Sequence, residues 1–464
     1  MDRRLLALIV ASCGAAPVAP APPPPAVVAA PTPGPYHDPD HARGELPPAD
    51  GRRNELKFLR GALDSMYAHR DAKLALHHLD EAAVFADAER ALLAATTWAA
   101  YDAAIYNMLA RFHDGHLSYK PPATAAPKRG YTSFTLGLGT VLANGHLLVA
   151  RVDAGSSVAT AGVAPGDEVI AIDGRAVADV LAEAGASRAV SRPESAMTTF
   201  ARTWTTVLYP KDSPPRARTI KVARRGGGEL DVAIAPAKID KQQHREPFAV
   251  VQQGDVALVT IGSLDGGSTR AKQLDDALAK ARAAKAIAID LRGNRGGVDI
   301  VGHRVLADLA GGTAALGSYR VLVSQTTLDL RPQWKALVAQ ADGFSPPQPI
   351  TVPALDHGFT GKIAVVVDAA CASTCEVIAA ALRADLGAVI VGETTGGSSG
   401  APISITLPQS HAIVAIPTWN LLSAEGKPIE DLGVAPDLAI AATPDALAQG
   451  SDLPLETAIA KIRP

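Results

Sequence analysis

Apolar residues recur at three- and four-residue spacing in two stretches near the start of the chain. They are Leu56, Leu59, Leu63, Met66 and Tyr67, then Tyr101, Ile105, Met108, Leu109 and Phe112. This is the spacing of one helix face, and it predicts a small helical domain over about 50–125. The texture changes near Tyr131. The run Leu136-Gly137-Leu138-Gly139, then His146 to Val152 and Val169 to Ile172, reads as short strands, punctuated by the turn Pro165-Gly166-Asp167 and the hairpin dipeptide Asp173-Gly174. Residues 185–217 look like a helical insertion before two last strands, Thr219 to Ala223 and Leu230 to Ala235. From about Val250 strand and helix alternate. Val256 to Ile261, Ala286 to Leu291, Lys362 to Val367 and Ala388 to Val391 are strands, and Thr269 to Ala284 and Ser373 to Ala384 are helices. Such alternation predicts a mixed or parallel sheet covered by helices, with functional groups at the carboxyl ends of its strands.

Composition narrows the class. At ~150 residues per domain, 464 residues suggest about three domains. A chain that is 47% hydrophobic and 20% charged is globular, and 44 basic against 47 acidic residues, with no long basic run, exclude nucleic acid as a partner. Three cysteines without a paired CxxC exclude a disulfide scaffold and a zinc ribbon. At the N-terminus, Arg3 and Arg4 precede an apolar run from Leu5 to Ala11, the pattern of an export leader. Val10-Ala11-Ser12-Cys13 resembles the bacterial lipobox, which implies lipidation of Cys13 and a membrane anchor. Residues 15–48 hold twelve of the 35 prolines and read as an extended tether. The expected divisions are a lipoprotein signal at 1–13, a Pro/Ala-rich linker at 14–49, the helical domain at 50–125, a β-rich domain at 130–240, an α/β core at 245–445 and a tail at 446–464. Gly14 after the cysteine favours the outer membrane, so the expected location is the bacterial envelope, as a periplasm-facing lipoprotein.

Two strand ends in the core carry candidate chemistry. After Asp290 comes Arg292-Gly293-Asn294-Arg295-Gly296-Gly297, whose glycines let main-chain N–H groups approach a ligand oxygen. After Asp368 comes Cys371-Ala372-Ser373-Thr374-Cys375-Glu376 and an apolar helix. Ser373 at a helix start has N–H donors and the positive dipole end beside it, which suits a nucleophile. Ser373-x-x-Glu376 also reads as an ordinary capping box.

The order of motifs weighs against a mere cap. Phe359-x-Gly361-x-Ile363-x-Val365-Val366-Val367, the serine segment, Val391-Gly392-Glu393-Thr394-Thr395-Gly396-Gly397, the preceding Asp290-to-Gly297 run and Glu430-Asp431-Leu432-Gly433-Val434-Ala435-Pro436-Asp437 together resemble one family. It is the serine peptidase family of carboxy-terminal processing (tail-specific) proteases and the tricorn protease core, and the likeness covers about 100–440. The segment 131–237 resembles a bacterial PDZ domain, which implies peptide binding at Leu136, Gly137, Leu138 and Gly139. The implied fold class is multi-domain α/β: an N-terminal helical domain, a PDZ-like β-rich domain and a crotonase-like α/β catalytic core.

The resemblance implies a serine peptidase acting on protein or peptide substrates without a cofactor. Members with a Ser–Lys dyad carry the lysine twenty-five residues beyond the serine, where this chain has Ser398. Tricorn-like members take a histidine ahead of the PDZ insertion, and Arg111-Phe112-His113-Asp114-Gly115-His116-Leu117 resembles that motif. His116 is then the expected base. The tricorn pattern has a serine just before the histidine, where this chain has Gly115, and a glutamate that Glu430 matches. Asp114 or Glu430 is expected to orient His116, and Glu430 also reads as a plain surface residue. The expected oxyanion donors are the N–H groups of Thr374 and of Gly296 or Gly297. A metal pair on His113 and His116 is a rival reading of the histidine motif, and no metal is expected. Cys371 and Cys375 are expected as unpaired buried small residues, a bridge being the alternative. His77, His78, His303 and His411 read as structural or exposed. Rival functions are a catalytically dead peptide-binding scaffold and a crotonase-type acyl-transforming enzyme.

Overall fold

The computed structural model describes residues 43–122, 131–186, 189–211, 213–239, 247–353 and 355–464, so the leader, Cys13 and most of the proline-rich tether lie outside the described residues. No helix among the described residues is long and apolar enough to cross a membrane.

The core is built on a six-stranded sheet. Its order is Phe248–Gln253, Val256–Ile261, Ala286–Asp290, Lys362–Val367, Val389–Gly392 and Leu438–Ala439; the first pair is antiparallel and the rest are parallel. Alternate residues of each strand face opposite ways, and both faces are covered. Ile287, Ile289, Val365 and Ile390 pack beneath the helices Ser268–Ala281, Asp299–Ala310 and Thr374–Leu386. Ala286, Ala288, Ala364, Val366 and Val391 meet Ala458, Ile459 and Ile462 of the last helix, Leu453–Ile462. Within the expected tail at 446–464, the helix Leu453–Ile462 is thus a covering layer of the core and not an appended tail. Arg292 pins that layer with hydrogen bonds of 2.9 and 2.7 Å to Asp452, the residue capping the last helix.

The four helices Ala49–Met66, Arg70–Leu76, Glu81–Ala94 and Trp98–Ala110 form the helical region. Leu59, Leu63, Phe85, Leu92, Ile105 and Leu109 share one buried cluster with Ile403, Val414 and Ile416 of the hairpin Pro402–Thr406/Ile413–Pro417. The strand Ser118–Lys120 pairs antiparallel with that hairpin, Ser118 opposite Ala415. Core elements complete the helical region's apolar face, which fixes the 110–120 segment against the core.

The β-rich region has a sheet ordered Leu138–Ala143, His146–Val152, Glu168–Ile172, Arg218–Ala223 and Glu229–Ile234, and a second sheet of Tyr131–Thr135, Thr206–Pro210 and Ala237–Lys238. Of the helical insertion expected at 185–217, Pro193–Thr203 is a helix, while Val177–Ala186 ends where the insertion begins and Thr206–Pro210 is a strand.

Candidate active site

Three neighbouring parallel strands deliver their carboxyl ends to one place. Ala286–Asp290 runs into the Arg292-to-Gly297 loop, Lys362–Val367 into the segment ending at Ser373, and Val389–Gly392 into the loop through Ser398 and Ser399. Ser373 precedes the helix Thr374–Leu386 with φ 60° and ψ −128°, a conformation that a side chain adopts only when its surroundings impose it. The constraints are identifiable. Its N–H donates to Glu376 Oε2 at 2.9 Å and to the Ser398 carbonyl at 3.0 Å, and Ala372 N–H donates to the Asn294 carbonyl at 3.1 Å. A Cβ at Gly296 (φ +83°) would stand 2.7 Å from the Ala372 carbonyl and 2.9 Å from Ser373 Cβ, so only glycine lets the two loops pass.

His116 arrives from 257 residues earlier in the chain, and its Nε2 lies 3.2 Å from Ser373 Oγ. Its Nδ1 is 2.9 Å from Ser398 Oγ. Its main-chain N–H donates to Asp114 Oδ1 at 2.8 Å. The other oxygen of the buried Asp114 accepts from Tyr67 Oη at 3.0 Å and His69 Nδ1 at 2.8 Å. His69 Nε2 faces the Trp419 carbonyl at 3.0 Å. With a carboxylate on one nitrogen and a carbonyl on the other, both His69 nitrogens must donate, which makes the ring a cation. Burial opposes that charge, but Glu430 and Asp114 outweigh it and raise the His69 pKa. At His116 burial dominates over the pull of Asp114, and the pKa is lowered. The ring beside Ser373 is therefore neutral where the ring behind it is charged.

Glu430 does not reach His116 through a hydrogen bond. Its oxygens accept from Ser191 Oγ at 2.6 Å and Ser399 N–H at 2.7 Å, and Lys73 Nζ stands 2.6 Å away. Lys73 is fully buried, also pairs with Asp431, and donates to the His113 carbonyl at 2.7 Å. Burial lowers the Lys73 pKa, but Glu430, Asp114 and Asp431 overcome it and leave it raised. Ser191 in turn accepts from Gly115 N–H at 3.3 Å. A second carboxylate, Glu376, collects four donors: Thr395 Oγ1 at 2.5 Å, Gly397 N–H at 2.7 Å, and Ser398 and Ser373 N–H at 2.9 Å each. Burial nonetheless pushes its carboxyl up to about 7. His69, Asp114 and Glu430 bring ligand-type atoms within 4.8 Å of one another, but the Lys73 ammonium already supplies the cation there.

The other expected site residues divide. Gly296 N–H donates to Asn294 Oδ1 at 2.8 Å and is not free for an oxyanion. Among the described residues no acceptor takes the N–H of Gly297 or Thr374. Both residues line a cavity of about 590 Å³ with His116 and Ser373, whose apolar wall includes Tyr319, Ile350, Trp419 and Leu421. Leu136 and Leu138 are buried in the core of the β-rich region, while Gly137 and Gly139 line a separate groove of about 910 Å³ with Arg151, Ser156 and Lys238. The strand Leu138–Ala143 is a sheet edge, and Pro193–Thr203 packs beside it through Thr140 Oγ1 donating to the Ala201 carbonyl at 2.5 Å.

Cys371 and Cys375 form a disulfide, which corrects the expectation of unpaired thiols. The turn at Ser373 brings their Cα atoms to 5.6 Å, within the ~4.4–6.8 Å range that bridges span. Ser191, Lys73, His69 and Tyr67 escaped the sequence reading because each reaches the site from a distant segment without a local motif.

Residues 255–440 match the model of peptidase family S41, and this stretch is the serine-type peptidase core of the chain, with an α/β fold. No curated protein matches it by sequence. Among solved structures, mature CPAF is similar with a TM-score of 0.64 and 15% identity, covering 88% of this chain and 96% of that one. Mature CPAF complexed with lactacystin gives 0.64 and 15%, covering 89% and 97%. The photosystem II D1 C-terminal processing protease gives 0.48 and 17%, covering 87% and 98%. At 15% identity the likeness to mature CPAF shows the fold alone.

Proposed function

We propose that this serine-type peptidase cleaves internal peptide bonds through an acyl-enzyme on Ser373, with His116 as general base. The observation that carries the reading is the 3.2 Å approach of a neutral, half-buried imidazole nitrogen to the oxygen of a serine held in a strained strand-to-helix turn. Ser373 Oγ attacks the carbonyl carbon as its proton passes to His116 Nε2. The C–N bond then breaks, and the departing amine takes that proton. Water, deprotonated by the same nitrogen, attacks the ester, and the proton returns to Ser373 as the acid leaves. The negative oxygen of each tetrahedral intermediate meets the N–H groups of Thr374 and Gly297. The wall of Tyr319, Ile350, Trp419 and Leu421 suits an apolar substrate side chain. The groove beside Gly137 and Gly139 suits an extended peptide. The leader pattern around Cys13 supports a lipid-anchored location in the bacterial envelope.

A fluorophosphonate tests the reading without knowledge of the substrate. Mass spectrometry of the exported protein should find the label on Ser373 in the wild type and none in Ser373→Ala, with His116→Ala labelled far more slowly. The same spectrum reads the mature N-terminus, where a diacylated Cys13 is expected. A label elsewhere, or undiminished labelling of Ser373→Ala, would refute the nucleophile, and an unmodified Cys13 would refute the anchor.

A further inference from the structure

We propose that Ser398 is the positioning residue that fixes the tautomer and aim of His116, supplying from the 395–400 loop a hydroxyl that the chain lacks at position 115. The proposal rests on the reading of Ser373 and His116 as nucleophile and base. In sequence the chain shows two separate departures, glycine at 115 and serine at 398. In space they are one feature. A Cβ built on Gly115 would stand 2.5 Å from Ser398 Oγ and 3.4 Å from Ser398 Cβ. A side chain at 115 and a hydroxyl at 398 compete for a single place, and this chain fills it from 398.

The chemistry gives that place a task. For Nε2 to accept the Ser373 proton its lone pair must face Oγ, so the one proton of the neutral ring sits on Nδ1 and needs an acceptor. Ser398 Oγ, 2.9 Å away and buried, is that acceptor. When Nε2 gains its proton the ring becomes a cation and the Nδ1–H···Oγ bond strengthens, so the contact favours the transition state over the ground state. The charged groups that influence the ring act otherwise: Asp114 binds its main-chain N–H, and His69, Asp299 and Arg295 act through their charge. Ser398 is itself fixed. Its N–H donates to Glu376 Oε2 at 2.9 Å, and its carbonyl accepts from Ser373 N–H at 3.0 Å, so the nucleophile and the orienting hydroxyl share one frame.

The exchange of the two positions is the test. Ser398→Gly, Gly115→Ser and the double variant are prepared in the full chain. Two quantities are read: the rate of acylation by a fluorophosphonate, and the tautomer of His116 from its imidazole ¹⁵N shifts, assigned by loss of the signals in His116→Gln. Ser398→Gly should slow acylation by about 10- to 100-fold, the worth of one hydrogen bond to a charged group, and depopulate the Nδ1–H tautomer. Gly115→Ser alone should also be slow, because its Cβ collides with Ser398 Oγ. The double variant should regain most of the lost rate and the Nδ1–H signal, since the new hydroxyl enters the vacated place. A double variant no better than Ser398→Gly would overturn the proposal, as would an unchanged tautomer in Ser398→Gly. If the wild type resists acylation altogether, the nucleophile reading falls while the tautomer still decides on Ser398: loss in Ser398→Gly with recovery in the double supports it, and no change overturns it.

Discussion

Replacing Lys73 with methionine keeps most of the side-chain volume and removes the ammonium that pairs with both Glu430 and Asp431. At 2.6 Å and an effective dielectric of ~20, the attraction to Glu430 alone is about 6 kcal/mol, from which the cost of burying the ammonium must be subtracted. Truncating one partner of a buried pair typically costs ~3–5 kcal/mol, because the remaining charge stays buried without compensation. Here two carboxylates are left, and the His113 carbonyl loses its donor as well. Lys73→Met should therefore lose about 3–5 kcal/mol of unfolding free energy at pH 8, read from urea titrations followed by tryptophan fluorescence. The deficit should shrink at pH 5, since orphaned carboxylates escape the penalty by taking up protons, and protonation stabilises the variant relative to the wild type. Acylation of Ser373 should slow in parallel, because Glu430 also holds the Ser399 N–H next to Ser398. A loss below about 1 kcal/mol at pH 8, or one that does not depend on pH, would refute the view that this ammonium neutralises the carboxylates.

Two further outcomes follow from the protonation states. Acylation should rise with pH in two steps, one below the usual imidazole value of ~6.5 as His116 loses its proton and one near 7 as Glu376 does, each loss of a proton favouring the active form. A single step above pH ~7.5 would contradict both assignments. In Glu376→Gln the amide nitrogen cannot accept, so two of the four donors lose their partner; labelling should slow by at least about 10-fold and the step near 7 should vanish.

Much of this architecture was legible because the core strands are short apolar runs that end in glycine-rich loops, and position along a parallel strand says where a loop will be. The expected bounds of Val256–Ile261 and Lys362–Val367 agree with the observed ones for that reason. The last helix was read as a tail although Leu455, Ile459 and Ile462 follow helical spacing, because ten residues of amphipathic pattern do not say which surface they cover. Long-range polar contacts were the least accessible. Asp114 or Glu430 is expected from sequence to orient His116, yet Lys73, Ser191 and Ser399 engage Glu430; a carboxylate's partners depend on chain crossings that no local pattern encodes. Ser398 was read as an absence, a missing lysine, and its hydroxyl acquires meaning only when Gly115 is seen beside it.

The distance along the chain between the site's parts sets a clock on its own biosynthesis. His116 leaves the ribosome early, Ser373 emerges 257 residues later, and Glu430 and Asp431, which hold Lys73 and the Ser399 loop, come later still. At ~5–20 residues per second, the 315 residues from His116 to Asp431 take about 15–60 s to translate. Until Ser373 emerges the imidazole has no hydroxyl beside it, and until Glu430 and Asp431 emerge Lys73 has neither carboxylate to bind. A nascent chain of this protein is consequently inert toward its neighbours and itself for nearly all of its synthesis, and hydrolytic capability arrives late, with the residues that close the network.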